Sequence, residues 1–339
     1  MDTARPAFGD IDETPSTRPE AHTAEARPAT VSARAQSEFG KSMLASLRAD
    51  PKKTEPKFFY DVAGSQLFDR ICELDDYYPT RTEAAILRDM VADLPDNLPQ
   101  GAALVELGSG SSIKTRIILD GLPDLGAYVP VDISGDHLRE TAKGLRDAYP
   151  GLPVYPLVAD FTREMTMPQQ VDGLPKVLFF PGSTIGNLDK SEAVELLARL
   201  RRLSGVSAFL IGVDLRKDPQ ILRRAYDDSE GVTAQFNLNL LRRANSELGA
   251  GFDLSAFRHE SRWNDKEGRV EMHLVSTRSQ DVELLGETVH FEPDESIHTE
   301  SSYKYTVSGF RALAAEAGWN APSVWTDEKD LFSVHLLTV

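Results

Sequence analysis

Cysteine is almost missing from this chain. Cys72 is the single example in 339 residues, so no disulfide can close within the chain, and a reducing compartment is the default expectation. The seven histidines are scattered, with no H-x-x-H pair and no Cys/His cluster of ligand spacing, so no metal site is expected. No run of eighteen apolar residues occurs, which excludes a membrane-spanning helix. The first residues lack the apolar stretch of a secretion signal. Positive charge is in deficit: 37 Lys and Arg stand against 53 Asp and Glu, a net charge of −16, and no basic block reverses the balance locally. Such a surface repels nucleic acid and anionic membranes. The expectation is a cytoplasmic monomer that acts on a small molecule, with no nucleic-acid, membrane or metal partner.

Apolar residues are plentiful at 41%, enough to fill the cores of two ordinary domains in a chain of this length. Residues 1–36 stand apart. They are rich in Ala, Pro, Thr, Glu and Arg, hold few side chains whose burial offsets chain entropy, and read as a disordered tail. The six acids among them argue against an organelle transit peptide.

From residue 40 onward, helical spacing appears in FGKSMLASLRAD, GSQLFDRICEL and TRTEAAILRDMVADL. Strand-like apolar runs follow: ALVELG, ending at Gly108, then AYVPVDIS, VYPLVAD, KVLFFPGS and SAFLIGVDL. Helical segments such as DHLRETAKGLRDAY and KSEAVELLARLRRL lie between them. Buried strands alternating with amphipathic helices predict an α/β fold with a parallel sheet covered on both faces, whose ligands sit at the carboxyl ends of the strands. After residue 217 the rhythm changes. A long helical stretch, PQILRRAYDDSEGVTAQFNLNLLRRANSEL, leads to a hairpin turning at Asn264 to Gly268 and to more strand in VELLGETVHF. Strand returns in PSVWTD and LFSVHLLTV, after the helix VSGFRALAAEAGW. The simplest account is a parallel-sheet domain interrupted by an α+β lobe, with a cleft between the two.

The turn Gly108-Ser-Gly110 follows a strand and precedes a helix, so backbone N–H groups can approach a ligand closely. A dinucleotide fingerprint needs a third glycine where Ile113 stands, and a Walker loop needs a different spacing of glycine and lysine. What remains is an acid, Glu106, followed by Gly-x-Gly, which resembles the first motif of S-adenosylmethionine-dependent methyltransferases. Asp132 ends the second strand, where a carboxylate can accept both hydroxyl protons of a ribose. Asp160 and Phe161 end the third, offering an acceptor for an adenine amino group and a ring beside the base. Lys114, on the first turn of the following helix, can meet the cofactor's methionine carboxylate. Each carboxylate can equally serve as a helix cap.

Longer motifs narrow the class. PKFFYDVAGSQLFDRICELDDYYPTRTEAAIL, LVELGSGSSIKTR, FFPGSTIGNL, VDLRKD, AYDDSEGVTAQFNLNLL and IHTESSYKY together resemble the histidine-specific Nα-methyltransferases of ergothioneine biosynthesis, over nearly everything from residue 40 to 339. The resemblance implies a Rossmann-like class I methyltransferase domain, residues 81–216 and 305–339. It also implies a second, α+β substrate-binding domain made of an N-terminal segment and an insertion, residues 37–80 and 217–304. It places S-adenosylmethionine on Gly108, Lys114, Asp132, Asp160 and Phe161. Free L-histidine would lie between the lobes, with Asn187 and Tyr226 on its carboxylate, Tyr60 and Gly182 near its amine, and Tyr77 reaching the imidazole. Glu300 and Ser302 would bond the ring, and Met272 would form part of its pocket.

The implied chemistry is three successive methyl transfers to give Nα,Nα,Nα-trimethylhistidine (hercynine). An amino acid arrives as an ammonium and must lose a proton to expose its lone pair. No lysine or histidine stands ready as a base at the matched positions, so Tyr60 is expected to orient the amine while water or a carboxylate network takes the proton. Rival readings are the same reaction on tryptophan or tyrosine, and a non-catalytic partner that keeps the fold and the cofactor. Single residues also have bland readings: the tyrosines can cap a core, Met272 can fill one, and Asn187 can cap a helix at GNLDKSE.

Overall fold

The computed structural model describes Met1 and residues 31–110 and 113–339. Most of the expected disordered tail, residues 1–36, lies outside these. Its last six residues depart from the expectation, because Val31–Gln36 forms a helix, α1. Ser37 ends it, its hydroxyl donating to Arg34 O at 2.7 Å, and also caps the next helix, α2 (Glu38–Arg48), by accepting from Gly40 N.

Helices α3 (Val62–Glu73) and α4 (Tyr78–Met90) follow. The central sheet then begins with β1 (Ala103–Leu107) and, after α5 (Ile113–Gly121), β2 (Ala127–Asp132). Helix α6 (Gly135–Ala148) leads to β3 (Leu157–Val158) and β4 (Lys176–Phe180), and α7 (Lys190–Arg201) to β5 (Val206–Asp214). The insertion holds α8 (Pro219–Tyr226), α9 (Val232–Arg243) and strands β6 (Phe257–Asn264), β7 (Arg269–Ser276), β8 (Gln280–Leu284), β9 (Glu287–Phe291) and β10 (Ser296–Tyr303). The chain closes with α10 (Val307–Glu316), β11 (Asn320–Thr326) and β12 (Phe332–Thr338).

The central sheet runs β11-β12-β5-β4-β1-β2-β3. Strands β1 to β5 pair in parallel, and β12 is antiparallel to both its neighbours. Strand alternation sorts its side chains between two covers. Val105, Leu178 and Phe180 pack with α7 and α10, while Leu104, Val177 and Phe179 pack with α4 and α5. Each such side chain contributes about 1.5–3 kcal/mol by leaving water. The expected third strand shrinks to Leu157–Val158 plus a bridge from Val154 to Tyr128, because Pro153 and Pro156 have no N–H to donate.

The second sheet, β10-β7-β6, is antiparallel, and the β6–β7 hairpin turns where expected, with Asn264 opposite Arg269. Its core draws on Phe39, Phe59 and Tyr78 from the N-terminal segment and on Phe236, Leu240 and Leu274 from the insertion. The long helical stretch from 219 breaks between α8 and α9, where Asp228 accepts from Val232 N and Thr233 N. Two buried carboxylate bonds there replace a continuous helix. Helix α8 packs on β6 and β7 of the second sheet.

Candidate active site

The carboxyl ends of the parallel strands meet the face of the antiparallel sheet at one cavity. Its walls include Tyr60, Phe68, Tyr77, Gly182, Asn187 and Tyr226, and also Met272, Glu300 and Ser302. All eight residues expected at a substrate therefore line the same space, although they come from five separate stretches of the chain. The register explains part of this. Glu300 on β10 faces Met272 on β7, and the two-residue alternation of β10 turns Glu300 and Ser302 to one side while Ser301 bonds His298 on the other.

After β4 the chain makes a tight entry into the cavity. Gly182 sits at φ +81° and Ser183 at φ 56°, left-handed conformations that favour glycine at the first of the two. Gly182 N donates to Glu83 Oε2 at 2.8 Å, and Lys114 Nζ donates to the same oxygen at 2.6 Å. A short turn, Thr184–Asn187, then presents Asn187. The rival use of Asn187 as a helix cap is taken by Asp189, which forms a full capping box with Glu192 at the start of α7.

Aromatic rings enclose one end of the cavity. Tyr60 meets Phe68 and Phe236 edge-on, each at 5.7 Å, and Tyr77 meets Tyr226 edge-on at 6.1 Å. Burial, followed by the nearby Glu300 carboxylate, pushes the Tyr60 hydroxyl well above its ordinary range. Burial does the same to Tyr77. Both stay protonated at neutral pH and act as hydrogen-bonding groups rather than bases. Glu300 is raised to about 7 by burial, with Lys304 opposing. Its Oε2 is buried without a partner, as is Thr233 Oγ1 in the same wall. A buried carboxyl with an unbonded oxygen costs free energy, and a ligand N–H reaching it would recover that cost.

The cofactor candidates lie at the ends of β1 and β2 and just beyond β3. Gly108 is at φ +70°, and a Cβ placed there would sit 3.6 Å from the ring of Phe161, so turn and ring abut. A Cβ on Gly110 would meet nothing within 4 Å, which leaves room for a ligand above the turn; residues 111 and 112 lie outside the described residues. Asp132 accepts from Ser134 N at 2.7 Å, and burial raises its carboxyl. Asp160 already accepts from Thr162 N at 2.9 Å. Lys114 lies beside Gly182, its nitrogen 3.6 Å from where a Cβ would stand, and so joins the cofactor turn to the cavity wall. This set of open glycine turn, strand-end carboxylate, ring and ammonium fits the parts of S-adenosylmethionine. Glu106 does not join it. It turns into the core and accepts from Tyr128 Oη and Thr115 Oγ1, and burial lifts it to about 7.

Several residues at the site went unassigned in the sequence. Lys304 Nζ, fully enclosed, donates to Asp214, Tyr226 and Ser302. Asp214 also holds Lys217 at 2.5 Å and Tyr78 Oη at 2.7 Å. Burial opposes the charge on Lys304, but Asp214 and Tyr226 outweigh it and raise the ammonium. For Lys217 burial prevails and lowers it to about 8. The signal for Lys304 was its place two residues after Ser302, just beyond β10. Phe68 and Phe236 carried only the helical spacing of core residues. Away from the cavity, Glu271, His273 and His298 bring ligand-capable atoms within 4.8 Å of one another, a grouping that residue spacing did not reveal. Arg269, Ser296 and Ser301 already engage them.

The family model for SAM-dependent, histidine-specific methyltransferases matches residues 39–339. The histidine N-alpha-methyltransferase of Mycolicibacterium smegmatis is 41% identical over 303 residues, 87% of this chain and 93% of that protein. Its counterpart from Mycobacterium tuberculosis is 41% identical over 306 residues, again 87% and 93%. Ergothioneine biosynthesis protein 1 of Neurospora crassa is 30% identical over 296 residues, 85% of this chain but 33% of that longer protein.

Proposed function

The chain belongs to the SAM-dependent, histidine-specific methyltransferases, and on that premise we infer that it methylates the α-nitrogen of L-histidine. We read the reaction as three successive transfers to free histidine, giving the trimethylated amino acid that ergothioneine biosynthesis consumes, by a monomeric cytoplasmic enzyme that needs no metal. The domain division is part of the reading: residues 37–80 and 217–304 bind substrate, and residues 81–216 and 305–339 bind the cofactor.

The observation that carries the substrate assignment is Glu300, whose Oε2 is buried and unbonded in the cavity wall. An imidazole N–H satisfies it, and the ring of phenylalanine cannot. Leaving such a carboxyl unpaired is what rejects an isosteric ring, by ~10²-fold or more on the scale of polar sites. Asn187 and Tyr226 take the free carboxylate, which excludes simple amines. Met272 fills the space beside the ring.

S-adenosylmethionine, when bound, supplies an electrophilic methyl group on a sulfonium. Gly108, Lys114, Asp132, Asp160 and Phe161 hold it. The protein's remaining task is alignment of a neutral amine. Tyr60 receives an amine N–H at its oxygen and keeps the lone pair directed at the donor. Water or a carboxylate network takes the protons released before each transfer. The faces of rings among Tyr60, Phe68, Tyr77 and Phe236 suit a growing alkylammonium, which an aromatic face stabilises by about 0.5–2 kcal/mol. The test offers the purified protein all twenty amino acids in turn with methyl-labelled cofactor. Histidine alone is expected to gain three labels; label on tryptophan or tyrosine instead would move the assignment to those substrates, and cofactor binding without turnover would mark a non-catalytic protein.

A further inference from the structure

Lys304 lies one residue beyond β10 and two after Ser302, and its contact with Ser302 puts it on the side of the strand that carries Glu300 and Ser302. Its side chain is 0% exposed, and it donates to Asp214 Oδ2 at 2.7 Å and to Tyr226 Oη and Ser302 Oγ, each at 2.8 Å. An ammonium has three donors and no acceptor. Those three contacts use all of them. Both hydroxyl oxygens accept from the lysine, so neither hydroxyl proton can return to it. Tyr226 Oη and Ser302 Oγ are 2.8 Å apart; one therefore donates to the other, and the second proton points away from the triangle, where both residues line the cavity. A ligand acceptor at each oxygen would break that bond and turn both protons inward.

We propose that Lys304 is a positioning residue that sets the polarity of the substrate site: by filling the acceptor side of Tyr226 and Ser302 it makes both hydroxyls donors, so the site selects an amino acid presenting two acceptors. Those acceptors are a free carboxylate at Tyr226 and an unprotonated ring nitrogen at Ser302. The inference rests on the histidine reading and adds to it the form of the ring that binds: neutral imidazole, its N–H toward Glu300 and its bare nitrogen toward Ser302. The lysine cannot swing away. Asp214 anchors it and is itself held by Lys217, by Tyr78 and by its own N–H to Ser183 Oγ at 2.9 Å. Within the cluster itself, Lys304 and Lys217 set two ammoniums against the one carboxylate of Asp214.

The experiment is a double-mutant cycle in the full chain, reading KM and kcat for histidine at saturating cofactor, with cofactor Kd from calorimetry. Lys304→Met keeps the length and removes the donors. It is expected to raise KM by ~30-fold or more with kcat within about fivefold and cofactor Kd unchanged, since two substrate contacts lose their polarity together. In that background Ser302→Ala adds less than about twofold, because the serine no longer acts as a fixed donor. An unchanged KM, or fully additive effects, overturns the proposal. Should Lys304→Met fail to fold, Tyr226→Phe decides: Lys304 still directs Ser302, so KM rises while the binding preference for histidine over phenylalanine stays within about twofold of the unmodified protein. Loss of that preference to the extent seen in Ser302→Ala overturns it. An unmodified protein that leaves histidine unmethylated defeats the histidine reading itself, and the inference with it.

Discussion

Replacing Glu300 with glutamine separates what the residue does for histidine from what it costs the fold. The carboxyl titrates near 7 in the folded protein against 4.5 ordinarily, chiefly because it is buried. Below pH 4.5 it is protonated in folded and unfolded chains alike, and no penalty exists. Between 4.5 and about 7 only the unfolded chain releases the proton, so stability falls as pH rises, and above 7 the full penalty applies. At about 1.4 kcal/mol for each pH unit of displacement, that penalty is on the order of 3 kcal/mol. Glu300→Gln removes it and keeps one acceptor. The variant is expected to melt several degrees higher at pH 8 and within a degree or so of the unmodified protein at pH 4.5, while its KM for histidine rises at least ~10-fold. Thermal unfolding at the two pH values and steady-state kinetics read both effects. An equal or lower melting temperature at pH 8 would refute the account of a carboxyl held buried and unpaired for a ligand.

Three further substitutions test other parts of the site. Asp132→Ala is expected to weaken S-adenosylmethionine by ~10-fold or more in calorimetry, as loss of a charge-assisted ribose contact does, and equal affinity would remove the residue from the cofactor site. Gly182→Ala forces a side chain into φ +81° with neighbours at 3.5 and 3.6 Å; a loss of about 1–3 kcal/mol in unfolding and a marked drop in kcat are expected, and a fully active, equally stable variant would show that the turn is not required. Tyr60→Phe should lower kcat by ~10–100-fold with KM little changed, and should leave the shape of the pH–rate profile intact, since its hydroxyl stays protonated. A lost ionisation in that profile would make Tyr60 the base.

The parallel sheet was legible because its strands are buried on both faces and read as uninterrupted apolar runs between amphipathic helices. The strand at Leu157–Val158 was overestimated, since prolines look apolar in a pattern but cannot join a ladder. The stretch from 219 read as one helix because its spacing persists, whereas Asp228 cuts it through hydrogen bonds that periodicity does not register. The cavity residues came from motifs, and their convergence on one space depends on the packing of the two sheets. Lys304 and Asp214 escaped notice because a lone lysine or aspartate in a sequence is most simply a surface charge. Burial and mutual pairing, which only the fold supplies, make them part of the site. Asn187 illustrates the opposite case, in which Asp189 two residues later takes the capping role and leaves the amide for the cavity.

In the proposed complex the cavity grips the ring through Glu300 and Ser302 and so delivers the α-nitrogen, not a ring nitrogen, to the methyl donor. Locating the methyl groups by NMR and fragment mass analysis of the product tests this most directly. The account predicts all three on Nα with the imidazole unaltered; a methyl group on either ring nitrogen, with Nα untouched, would contradict it.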